Sequence, residues 1–199
     1  MKGYYFITDA SLSRAGVYKD VQSALKAKVA VVQYRAKDAG SVRMYEEARR
    51  LRALCKGCIF LVNDRVDIAL AAGADGVHLG QDDLPYEAAR RVLGKNKIIG
   101  LTVRSLRDAR EAERKGADYV AAAPIFKTRT KNNAGPPRGV AFIRALKRQL
   151  HIPVAAIGGI DLSNAPQVVS AGADMLCAIS AVVTRPNVAL QIRKFQRLF

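Results

Sequence analysis

Charged side chains stand at the ends of several short apolar runs, and they are the groups best placed to do chemistry. One run ends Gln33-Tyr34-Arg35-Ala36-Lys37, a second ends Asn63-Asp64, and a third leads into Gln81-Asp82-Asp83. Side chains alternate along an extended chain, so Gln33, Arg35 and Lys37 share one side. An Arg turned into a folded interior is costly unless an anion meets it. Two partners fit. A nearby carboxylate would make it a buried ion pair, whereas a diphosphate would match its planar fork together with the point charge of Lys37. The acids opposite suit an oxygen-ligated Mg²⁺ bridging diphosphate oxygens. For Asp64 a plain helix N-cap is the competing reading.

Later runs supply a different chemistry. Gly158-Gly159 and Ile179-Ser180 follow two apolar stretches, where exposed backbone N–H groups and missing side chains let a phosphate approach. The irregular segment 127–138, KTRTKNNAGPPR, adds Thr128, Thr130 and Lys131, and a loop this long in a short chain is usually functional. Other features carry less. Cys55 and Cys58 have redox or zinc spacing but no second pair, so free thiols are expected. His78 lies within an apolar run and reads as a hydrogen-bonded core residue, and His151 reads as a surface residue. No Ser-His-Asp or Cys-His arrangement emerges, which argues against acyl transfer.

These groups need a frame that gathers run ends at one face. Strand-like runs at 3–9, 29–35, 58–64, 76–80, 97–103, 119–126, 153–160 and 175–182 alternate with helical patterns near 18–27, 41–55, 65–72, 84–93, 105–115, 139–149, 162–171 and 186–197. Eight of each, alternating throughout, predict a single α/β domain over 1–199, a (β/α)8 TIM barrel whose strand C-termini open at one mouth. An open doubly wound sheet would want a G-x-G-x-x-G after the first strand, which is absent. Gly-Ala-Asp recurs at 73–75, 116–118 and 172–174, each time before a strand. Gly past a helix end and Asp at a turn make these triplets structural.

Composition bounds the rest. The chain has 199 residues, 33 Lys+Arg against 17 Asp+Glu, a formal net charge of +16, and half of it is hydrophobic. That excludes a disordered or fibrous protein. No apolar run reaches the roughly 20 residues that span a bilayer, and MKGYYFITDA lacks the apolar core of a signal peptide. A cytoplasmic location with no membrane partner is expected, and three Cys do not make a disulfide scaffold. The cations are scattered among Glu in helical stretches without a run of five, which speaks against nucleic acid as the main partner and for small phosphorylated substrates.

The motifs QYRAKD (33–38), NDRVDIALAAGADGVHLGQDDLP (63–85), GADYVAAAPIFKTRTKNNAGPPRG (116–139), PVAAIGGI (153–160) and CAISAVV (177–183) closely resemble the thiamine-phosphate synthase family, in order from about residue 4 to 183. The resemblance implies that 4-amino-2-methyl-5-(diphosphooxymethyl)pyrimidine is joined to a thiazole phosphate or its carboxylated tautomer. Thiamine phosphate and diphosphate are released, with CO₂ from the carboxylated substrate. It implies pyrimidine-diphosphate contacts from Gln33, Tyr34, Arg35, Ala36, Lys37 and Asn63, with Thr102 in the place of a family Ser and Lys131 beside the diphosphate. It implies Mg²⁺ on Asp64 and Asp83, and a thiazole-phosphate site from Thr128, Arg129, Thr130, Gly159, Ile179 and Ser180. Arg35, Lys37, Lys131 and Thr102 would be catalytic, and a homo-oligomer is compatible with all of this. The sequence departs from the family pattern at Ala36, which replaces a Glu and on strand alternation faces away from Arg35. It departs also at Lys127, which replaces a Pro, and at Arg104, where relatives often carry His. A related thiazole tautomerase uses a His there, so Arg104 favours the synthase. A tautomerase-like isomerase and a basic nucleic-acid-binding module are the rivals.

Overall fold

Eight short apolar runs become eight parallel strands, each handed to the next by a helix, in a computed structural model that describes residues 1–128, 130 and 135–199. The order is β1 (Gly3–Ile7), α1 (Val17–Lys26), β2 (Val31–Tyr34), α2 (Ser41–Leu54), β3 (Ile59–Asn63), α3 (Val66–Ala71), β4 (Gly76–Leu79) and α4 (Tyr86–Leu93). Then come β5 (Ile98–Val103), α5 (Leu106–Lys115), β6 (Tyr119–Ala122), α6 (Gly139–Lys147), β7 (Val154–Ile157), α7 (Ala165–Ser170), β8 (Met175–Cys177), α8 (Ser180–Val183) and α9 (Val188–Gln196). The sheet closes β1 to β8 in chain order. This is the expected (β/α)8 barrel. No helix among the described residues is long and apolar enough to cross a membrane.

Alternation along each strand sorts the core into two layers. Tyr5, Ile7, Val31, Leu61, Tyr119, Ala121, Ala155, Met175 and Cys177 fill the barrel, while Phe6, Val32, Phe60, Val77, Ile99 and Val120 face outward under the helices. Cys55, Cys58 and Cys177 are free, as expected.

The strands are shorter than the apolar runs suggest, for identifiable reasons. The run 119–126 stops pairing at Ala122, ahead of Pro124, which has no N–H for a ladder. The run 153–160 ends at Ile157, because Gly158 and Gly159 take φ of 102° and 64° and turn the chain. The run 175–182 ends at Cys177, and its apolar tail forms the unexpected short helix α8.

The Gly-Ala-Asp triplets are structural, as read. Gly73, Gly116 and Gly172 all have positive φ. Asp75, Asp118 and Asp174 then accept the N–H of Phe60, Ile99 and Val154 on the preceding strand, each at 2.8 Å. The same carboxylates pair with Arg52, Arg90 and Lys147 from α2, α4 and α6. One device therefore ties strands and helices together three times at the N-terminal end of the barrel.

Candidate active site

At the opposite end, the strand C-termini surround a cavity of about 270 Å³. Its charged side is built by β1 to β4. Thr8 and Asp9 follow β1, and the Thr8 hydroxyl accepts from the Arg35 N–H at 2.9 Å, fixing the chain just beyond β2. Asp9 is buried, and its Oδ2 meets Arg35 Nη1 at 2.7 Å. The other oxygen of Asp9 is held by Ser11 and Leu12. Arg35 thus has a carboxylate partner and still lines the cavity beside Lys37, so the two readings of this residue do not exclude each other.

Asp64 follows β3 with φ of 63°, and its N–H bonds to the carbonyl of His78 at 2.9 Å. It does not cap α3. The N-cap of that helix is Arg65, whose side chain makes no capping bond. The Asp64 carboxyl instead neighbours that of Asp83. Asp83 Oδ2 also accepts the Gly80 N–H at 2.6 Å, in a turn so tight that a methyl on Gly80 would press on that oxygen at 2.9 Å. Burial first, and then the neighbouring Asp83, push Asp64 up to about 6, with Lys37 and Arg35 pulling the other way. Two abutting carboxylates with two cations in reach form a site that a divalent ion would relieve.

Gln33, Asn63 and Thr102 line the same cavity from β2, β3 and β5. Beneath them Tyr5, Tyr119 and His78 form a buried hydrogen-bonded floor. His78 is the core histidine expected.

Among the described residues, no charged side chain lines the far side. Thr128, Thr130, Gly158 and Ile179 line it, and Thr128 Oγ1 accepts the Thr130 N–H at 3.2 Å. Gly159 stands next to this lining, not in it. A Cβ there would strike Phe126, and its carbonyl takes the Asn164 amide at 2.9 Å. Ser180 is exposed where α8 begins. Arg129 and Lys131 lie outside the described residues.

Two expected contacts are placed elsewhere. Tyr34 points outward under α2 and donates its hydroxyl to Glu47 at 2.7 Å, because it is the last outward position of β2. Ala36 lies past the end of β2, so strand alternation does not govern it. It lines a neighbouring groove together with Arg35 and Lys37.

A family model described as thiamine monophosphate synthase matches residues 4–182. The chain belongs to the thiamine monophosphate synthase family. A Methanosarcina barkeri relative named thiamine-phosphate synthase is 49% identical over 96% of this chain and 88% of its own length. A Chloroflexus aurantiacus relative of the same name is 46% identical over 98% and 91%. A solved thiamine phosphate pyrophosphorylase from Pyrococcus furiosus superposes with a TM-score of 0.91 at 39% identity, covering 98% of this chain and 94% of that one. In this family's barrel, Asp9, Tyr5 and Tyr119 are mouth or floor residues that the run-by-run reading did not single out. Asp9 alone had a signal: an acid closing the first apolar run.

Proposed function

We propose that the mouth of this barrel transfers the pyrimidine-methyl group of 4-amino-2-methyl-5-(diphosphooxymethyl)pyrimidine to the nitrogen of a thiazole phosphate. The products are thiamine phosphate and diphosphate, with CO₂ where the thiazole is carboxylated. The observation that supports this best is the Asp64–Asp83 pair facing Arg35 and Lys37 in one cavity. A leaving diphosphate gains charge as its C–O bond breaks, and preplaced cations lower that barrier.

The donor set fits Mg²⁺. Among the described residues no cluster of three His, Cys, Asp or Glu exists, and Mg²⁺ characteristically uses one or two carboxylates with waters and substrate phosphates. Asp64 and Asp83 would hold the ion, which when bound neutralises charge on the diphosphate. Arg35, fixed by Asp9, presents its fork to the leaving group, and Lys37 adds a point charge. By family resemblance Lys131 joins them. Gln33, Asn63 and Thr102 orient the pyrimidine. Thr128, Thr130 and Ile179, with Arg129, Gly159 and Ser180 by resemblance, position the second substrate so that its nitrogen is the nucleophile. No general base is needed.

The same reading makes the protein a cytoplasmic transferase with small phosphorylated partners, acting on neither nucleic acid nor membrane. The test mixes both substrates with and without Mg²⁺ and follows diphosphate. Release is expected only with the complete mixture. Isomerisation of the thiazole phosphate alone, without diphosphate, would replace this reading by the tautomerase.

A further inference from the structure

A continuous hydrogen-bonded chain crosses the barrel floor from Gln33 to Thr102. Gln33 Nε2 donates to Tyr5 Oη, Tyr5 Oη lies 2.8 Å from Tyr119 Oη, and Tyr119 Oη lies 2.9 Å from His78 Nδ1. His78 Nε2 lies 2.9 Å from Thr102 Oγ1. The span exists because Gly100 lacks a side chain: a methyl there would run into the Tyr119 ring. His78 stacks on that ring with centroids 5.6 Å apart. Gln33 and the three inner members are buried, and Tyr5 and His78 border the cavity beneath Gln33 and Thr102.

Each inner hydroxyl has a single proton, so the chain has a direction. Burial pushes both phenols well above their usual range and keeps them neutral. With Gln33 donating, Tyr5 donates to Tyr119, Tyr119 to His78 Nδ1, and His78 Nε2–H to Thr102. Gln33 then offers its Oε1 as acceptor, and the Thr102 hydroxyl is left as donor. Turning the Gln33 amide over reverses every bond, so Gln33 offers N–H and Thr102 an acceptor. Mixed states strand a buried donor or acceptor.

We infer that Tyr5, Tyr119 and His78 couple Gln33 to Thr102 and thereby select a ring presenting an amine donor beside a ring-nitrogen acceptor over its 4-oxo counterpart, whose pattern is reversed. This rests on the synthase reading, with Gln33 and Thr102 facing the pyrimidine. Tyr5, Tyr119 and His78 are positioning residues in this selection, since it is passed to the ring through those two.

The test compares kcat/KM for the 4-amino and 4-oxo pyrimidine diphosphates in the parent, Tyr119→Phe and Tyr5→Phe proteins. Comparing ratios between proteins cancels the intrinsic difference in leaving rate of the two compounds. The amino preference should fall at least about tenfold in both variants, with KM for the thiazole phosphate within about twofold of the parent. As a second measurement on the parent alone, ¹⁵N shifts of His78 should show the Nε2–H tautomer with the amino compound and the Nδ1–H tautomer with the oxo compound. An unchanged ratio in both variants, or one tautomer with both ligands, overturns the inference while leaving the synthase intact. A parent that releases no diphosphate overturns both.

Discussion

At the base of the barrel Asp75, Asp118 and Asp174 each accept a strand N–H and meet one cation from a helix. At the mouth Asp64 meets not a cation first but Asp83. The base repeats one solution three times, and every carboxylate there is satisfied within the fold. The mouth departs from it where β3 and β4 end, and leaves two acids side by side near Arg35 and Lys37. The base thus uses its carboxylates to join elements, whereas the mouth keeps two acids and two cations facing a cavity.

The largest expected effect breaks the mouth. Asp64→Asn should cut diphosphate release by about 10³-fold with saturating substrates. Its urea midpoint should not fall, because one of two abutting carboxylates has been neutralised. Turnover within tenfold of the parent would place the chemistry elsewhere. Arg35→Lys comes next. The charge remains and Asp9 keeps a partner, but the planar fork is lost, so a loss of about 10²-fold is expected, mostly in kcat. A change confined to KM for the thiazole phosphate would contradict the assignment of Arg35 to the leaving group.

The difference between the two ends also explains what the sequence could disclose. Position along a strand is a local property, so Arg35, Lys37, Asp64 and Asp83 were legible as residues at run ends once eight runs implied a barrel. The base was legible as a repeat, since Gly-Ala-Asp recurs in the text itself. Partnership is not local. Asp9 and Arg35 are 26 residues apart, and Tyr5 and Tyr119 are 114 apart, so neither pairing leaves a pattern in any window of the chain. Strand ends misled for a related reason. Ile179-Ser180-Ala181-Val182-Val183 has the β-branched look of a strand, but pairing had already stopped at Cys177, and the segment coils into α8. Tyr34 was assigned to the mouth with its neighbours, although period-two alternation along β2 already turned it toward α2.

A smaller effect tests the base. Asp174→Ala removes the acceptor for the Val154 N–H and the partner of Lys147, and should cost about 2 kcal/mol. That is about a 30-fold loss in the folding constant, read from urea unfolding. Turnover of the folded fraction should stay within about twofold of the parent. Lost turnover in a fully folded variant would mean that the ends of the barrel are coupled and the contrast drawn above is false.

The smallest effect is graded by pH. Asp64 is held up at about 6 against an ordinary 3.8, so the folded protein binds this proton more tightly than the unfolded chain does. The linkage sign follows: without metal, Asp64 favours the folded state below pH 4, and that advantage is lost as pH rises toward 6. Metal binding runs the opposite way, because the ion must displace the proton. Apparent Mg²⁺ affinity should be flat above about pH 7 and fall about tenfold per unit below 6. Titration calorimetry at pH 5, 6 and 7.5 should show close to one proton released at pH 5 and almost none at 7.5. Asp174→Ala, a change at the base, should leave the Mg²⁺ profile in place while Asp64→Asn abolishes it. A Mg²⁺ affinity that does not change between pH 5 and 7 would show that the carboxylate beside Asp83 is not the ligand, and would leave the contact between the two acids without a chemical purpose.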